Sequence, residues 1–135
     1  MTLREIYTLL EGYARRLPDI RTIIENDVLK LNELRTAEYG VFAITQNSHT
    51  GTESQLAFSL NLFYIDRLTN SGDNEVQVQS HAIEMLRQIL NFAAEGGLVV
   101  GDAQYNTFTD RFQDLCGGAW VMVTLSAPVS DCIDY

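Results

Sequence analysis

Apolar positions along the chain follow two rhythms, one helical and one alternating. Leu3, Ile6, Tyr7, Leu10, Tyr13 and Ala14 recur at helical spacing, and Thr2 with Glu5 makes a capping-box pattern. A first helix is therefore predicted, stopped by Pro18 because the residue before a proline avoids the α region. The stretch DIRTIIENDVLKLNEL that follows has no clean period. Ile20, Ile23, Ile24 and Val28 fit a helix, whereas residues 28–31 fit a short strand; a loop and then that strand is the expectation.

Alternation takes over next. Residues 39–46 (YGVFAITQ) are rich in aromatic and β-branched side chains and bounded by Gly40 and Asn47-Ser48, which predicts a strand. NSHTGTES, with Gly51 at its middle, supplies a hairpin loop. Over residues 54–66, Leu56, Phe58, Leu60, Leu62 and Tyr64 point one way and Ala57, Ser59, Asn61, Phe63 and Ile65 the other. One face of this strand is wholly apolar. The other turns apolar only near Phe63 and Ile65, where a cover is expected.

Beyond the turn-rich RLTNSGDNE, where Ser71, Asp73 or Asn74 can cap, helical spacing returns from about 74 to 92. Val78, Ala82, Ile83, Leu86, Ile89, Leu90 and Ala93 form its stripe, and Gly96-Gly97 ends it. Residues 105–109 alternate as a further strand, Cys116-Gly117-Gly118 suggests a tight bend or bulge, and 119–127 (AWVMVTLSA) is a last strand ended by Pro128. The expected fold is one α+β domain over residues 1–135. Its antiparallel sheet of about four to five strands carries two main helices on one face, with the tail after Pro128 irregular.

Charge narrows the function classes. The net charge is −9, and residues 36–135 hold three basic against twelve acidic side chains with no lysine. Gripping phosphates takes Lys or Arg, so specific nucleic-acid binding is not expected, and acidity serves solubility. No apolar run approaches the length of a membrane span, and the charged N-terminal pattern reads as an amphipathic helix rather than a signal peptide. Cys116 and Cys132 have no CxxC spacing and read as reduced thiols, with a disulfide as the alternative.

Candidate chemistry is sparse. His49 lies in a polar loop and His81 off the apolar stripe of its helix; their i+4 positions are Glu53 and Met85, which excludes HxxxH or HExxH metal spacing. Asp66-Arg67 and Asp110-Arg111 are Asp-Arg pairs at strand ends, read as ordinary surface ion pairs, with a charged interface or an active-site rim as the alternatives. Cys116 lacks a basic neighbour and reads as a packed small hydrophobe. Gly96-Gly97 with Gly101 is no phosphate loop, since no lysine follows. No catalytic residue, cofactor or metal is expected.

YGVFAITQNSHT, LNLFYIDRL, EVQVQSHAIEMLRQIL and FTDRFQDLCGGAWVMVTLSAP resemble small neck and tail proteins of tailed phages. The likeness is strongest to those of crAss-like and other Bacteroidetes phages and prophages. The element order resembles that of tail-terminator, or tail-completion, proteins, and the similarity covers about residues 3–128. The resemblance implies a structural virion protein, made in the bacterial cytoplasm, that forms a cyclic homo-oligomeric ring at the head–tail junction. Its partners would be copies of itself and other neck and tail proteins, with DNA passing the lumen unbound and no membrane involved. Interface candidates are Tyr64, Asp66, Arg67, Arg111 and Trp120, aromatic and charged residues near strand ends. A small ligand-binding or adaptor module is the second reading, and a hydrolase using His49 with Asp66 or Cys116 the third.

Overall fold

The computed structural model describes residues 2–26, 40–51, 56–68, 74–109 and 116–127. Helix α1 (Leu3–Arg15) starts as its sequence dictates: Glu5 N–H donates to Thr2 Oγ1 at 3.1 Å, and Thr2 N–H donates to Glu5 Oε1 at 3.2 Å. Then come β1 (Thr22–Glu25), β2 (Val41–Gln46), β3 (Thr50–Gly51), β4 (Leu56–Arg67), α2 (Glu75–Glu95), β5 (Val99–Thr109) and β6 (Cys116–Ser126). Helix α2 ends in a Schellman arrangement: Leu98 N–H bonds Ala93 O at 3.0 Å and Gly97 N–H bonds Ala94 O at 3.1 Å. Gly97 takes the φ of +98° that this turn requires.

The strands form one sheet in the order β1-β2-β4-β6-β5, with β3 pairing the start of β4. The α+β class holds, with both helices contributing to one core cluster. The six strands among the described residues exceed the four to five expected, because two short ones carry little sequence signal. One is β1, which lies ahead of the expected strand at 28–31, outside the described residues, and runs parallel to β2. The other is β3, where Thr50 and Gly51 pair Ala57 and Leu56 instead of forming a loop. Leu56 itself is 53% exposed, so the apolar face of β4 begins at Phe58.

The strand expected at 105–109 reaches back to Val99. Its register slips between Val100 and Ala103, so the bulge falls at Gly101 and Asp102. Cys116, Gly117 and Gly118 are regular residues of β6, opposite Arg67, Asp66 and Ile65. The expected bend is thus corrected. These glycines serve close approach: a Cβ on Gly118 would stand 2.0 Å from Tyr64 O.

Register makes the two sheet faces unlike. Phe42, Ile44, Phe58, Leu60, Leu62, Tyr64, Ala119, Val121, Val123 and Leu125 join Ile6, Leu10, Leu86 and Ile89 of the helices in the main core. Arg16 clamps the helix ends, its guanidinium 5.2 Å from the Tyr13 ring and 5.3 Å from that of Phe92. The opposite face holds a smaller cluster of Ile24, Val41, Ala43, Ile65, Phe108 and Cys116, with Phe63 and Trp120 packed against it. No residue of α1 or α2 belongs to this second cluster.

Candidate functional site

Among the described residues, polar side chains gather at a cleft and at a corner, and the open sheet face, away from the helices, forms a further surface. The first is a cleft where the turn after α1, the end of β4 and the first half of α2 converge, lined by Asp19, Arg21, Tyr64, Asp66 and His81. His81 Nε2 stands 2.9 Å from Asp19 Oδ2, and the imidazole meets the Tyr64 ring edge-on at 5.6 Å. His81 thus keeps its place off the apolar stripe, partly open to solvent, and pairs there with Asp19 of the turn after α1. Gly40, at φ +65°, lets the chain pass beside Asp19, because a Cβ there would lie 1.9 Å from Asp19 O. Burial pushes the Tyr64 phenol above its ordinary pKa, with the Asp66 and Asp19 charges adding to the effect. The phenol is buried and stays neutral at physiological pH, so what the cleft presents to a polar ligand is two carboxylates, a guanidinium and an imidazole.

The second place is the corner between α1 and β1. Arg4 grips both oxygens of Glu25, at 2.7 and 3.2 Å, and holds that carboxyl below its ordinary range. Glu11 shares the same face of α1; burial, then hydrogen bonding to Glu25, raises it to about 7. The Tyr7 hydroxyl donates to Asn26 Oδ1, which also accepts from Gln46 Nε2 at 3.2 Å. Asn26 occupies the left-handed region at φ 66°, which asparagine tolerates, and its N–H reaches Ile44 O at 2.6 Å. Among the described residues no group of three His, Cys, Asp or Glu is placed to hold a metal ion.

On the open face, Thr45, Asn61, Met122 and Gln104 lie in one row across β2, β4, β6 and β5, beside Ser59 and Thr124. Asn47 and Asn61 exchange amide hydrogen bonds at 2.9 Å in both directions. Phe63 stacks on Trp120 with centroids 6.0 Å apart.

The interface candidates named from sequence are split by the fold. Tyr64 is 1% exposed and belongs to the core, which corrects its reading as an exposed aromatic. Asp66 shares its face, while Arg67 and Trp120 lie on the open face. Arg67 N–H bonds Asp66 Oδ1 at 2.8 Å. Arg111, with Asp110 and Cys132, lies outside the described residues.

The hydrolase constellation does not form. His49 bonds Gln46 at 3.0 Å and packs on Phe58 near the start of β4, whereas Asp66 and Cys116 lie at its far end. Eight strand residues separate those ends, a span of about 26 Å. Cys116 is buried, as expected of a packed small hydrophobe. Sequence reasoning missed Asp19 and Arg21, which a turn brings to the cleft without any spacing signal.

Neither a scan against protein-family models nor a search of curated proteins finds a match for this chain. Among the described residues no helix is long and apolar enough to cross a membrane.

Proposed function

We propose that the chain is a structural subunit of a tailed-phage virion, forming a homo-oligomeric ring at the head–tail junction or tail end. One observation carries this reading. The four segments that resemble phage neck and tail proteins supply β2, β4, α2 and β6, which are contiguous in space. β4 lies between β2 and β6, and α2 packs over β4 and β6. The likeness thus concerns the framework of the fold, as suits a protein whose work is assembly. Contacts between subunits in such a ring are head-to-tail and use two different surfaces. An acidic subunit with a net charge of −9 suits a channel through which DNA slides without being held.

Disrupting the gene tests the proposal. Lysates should then contain heads and tails that fail to join into infectious particles, with joining restored by the gene in trans. A normal titre of intact particles without the protein would refute it.

A small-ligand-binding module is the second reading, favoured by the cleft at Asp19, Arg21, Tyr64, Asp66 and His81. A ligand that binds only the folded state raises its stability, so a thermal-shift screen of polar metabolites tests this role. A hit should be lost in Asp66→Asn. An empty screen, or a hit untouched by that change, counts against the cleft.

A further inference from the structure

A ring closes when each copy offers the next a surface unlike the one it receives. The two edges of the sheet are such surfaces. Among the described residues no strand lies beyond β5 on one side or beyond β1 on the other. An edge strand turns alternate N–H and C=O groups outward, in a row that another extended chain matches group for group.

The β5 edge is open to pairing. Its start is bulged at Gly101 and Asp102, but residues 103–109 keep regular register with β6 and carry neither charge nor proline. Charge, proline and bulges are what commonly guard a free edge, and this stretch has none of them. The β1 edge is complementary. Thr22 N–H reaches Gly40 O at 3.3 Å and Asn26 N–H reaches Ile44 O at 2.6 Å. Even-numbered residues therefore face β2, and Ile23 and Glu25 turn their backbone groups away from it. Glu25 is the one charge of this strand, and Arg4 already grips it, so a neighbouring strand would not meet it bare.

Strand sense selects how the edges combine. β1 and β2 are parallel, and each step from β2 to β4, β6 and β5 reverses direction, so β1 and β5 run oppositely. A copy rotated about an axis along the strands keeps its orientation and brings its β1 antiparallel to β5 of the first. The two strands also stand at the same height. Through β2, β4 and β6, Thr22 is level with Phe108 and Glu25 with Tyr105.

We infer that β5 of one copy pairs antiparallel with β1 of the next, so that the sheet continues from subunit to subunit. The inference rests on the ring proposal, which requires two unlike surfaces; β5 pairing with a second β5 would instead close a twofold dimer.

Introduced cysteines test the inference, in a Cys132→Ser background that leaves Cys116 buried. Thr22→Cys on β1 and Asn106→Cys on β5 are both half-exposed on the open face. Sedimentation velocity over a concentration series reads association. A short bismaleimide followed by denaturing electrophoresis then reads which edges meet, and far-UV circular dichroism checks folding. The double variant should give a ladder of covalent multimers. A mixture of the two single variants should give dimers and nothing larger, and each single variant alone no cross-link. Gln104→Cys, on the same face of β5, replaces Asn106→Cys if the latter loses the wild-type spectrum. Dimers from the β5 variant alone, or an associated protein that yields no ladder, would overturn the inference and leave the ring proposal standing. A wild type that stays monomeric throughout would also overturn it, and the gene-disruption experiment then decides the ring proposal separately.

Discussion

Asn61 and Leu62 are neighbours in the chain and stand on opposite faces of β4, where they meet different constraints. Leu62 is fully buried under the helices, its row running through Ile44, Val121 and Tyr105. Asn61 is half-exposed and holds Asn47, in a row of Thr45, Met122 and Gln104. A face that must fill space against helices tolerates only apolar side chains of suitable shape. The open face is apolar where it is buried, near Ile65 and Phe108, and between Arg67 and the bulge its accessible described strand residues are uncharged. Exposure alone does not require that absence of charge, since an exposed sheet face commonly carries charged residues.

Substitutions can set these two faces against each other. The largest effect belongs at Gly118, where strands approach too closely for a side chain: Gly118→Val should abolish cooperative folding, read by circular dichroism and thermal melting. A soluble, cooperatively melting variant would show that β4 and β6 can separate at that point. Next, Leu62→Ala should cost about 3 kcal/mol in urea denaturation, because it leaves a cavity beneath the helices. Asn61→Ala, one residue away, should cost only about 1 kcal/mol, the net worth of a part-exposed hydrogen-bonded pair. Equal costs would remove the distinction between the faces.

The smallest effect lies off the sheet faces, at the corner of α1 and β1. Folding raises Glu11 from its ordinary 4.5 to about 7, so the folded state binds more protons across that interval. Stability from this group is complete below its unfolded value and declines as pH rises through about 7. Glu25 acts in the opposite sense, its depressed value giving stability above its ordinary range that is lost in acid. Glu11→Gln should therefore flatten the decline from mildly acid to neutral pH. Because Glu11 is only partly buried, solvent screens its charge and the gain in Tm above neutrality should be only about 2 °C. An unchanged pH profile in differential scanning calorimetry would remove Glu11 from the shared carboxyl pair.

Much of this architecture was legible in the chain because burial imposes a period. Alternation over Phe58, Leu60, Leu62 and Tyr64 and the stripe at Ala82, Leu86, Ile89 and Ala93 marked the two layers of the core. Phe63 and Ile65 marked the second, smaller cluster. Short elements escaped notice because four residues of β1 and two of β3 are too few for a period to emerge. Glycine was ambiguous: Gly117 and Gly118 read as a bend, yet they permit close strand contact. The cleft was legible only in part. Tyr64 and Asp66 were singled out, but Asp19 and His81 lie 62 residues apart in sequence and meet through the packing of α2 beside the turn after α1.

The proposal that the protein is a component of a tailed-phage particle is tested most directly on purified virions of a phage whose genome carries its gene. Quantitative mass spectrometry of such particles should find the chain at a constant ratio to the other neck and tail proteins. Virions that are complete and infectious yet lack the chain would contradict it.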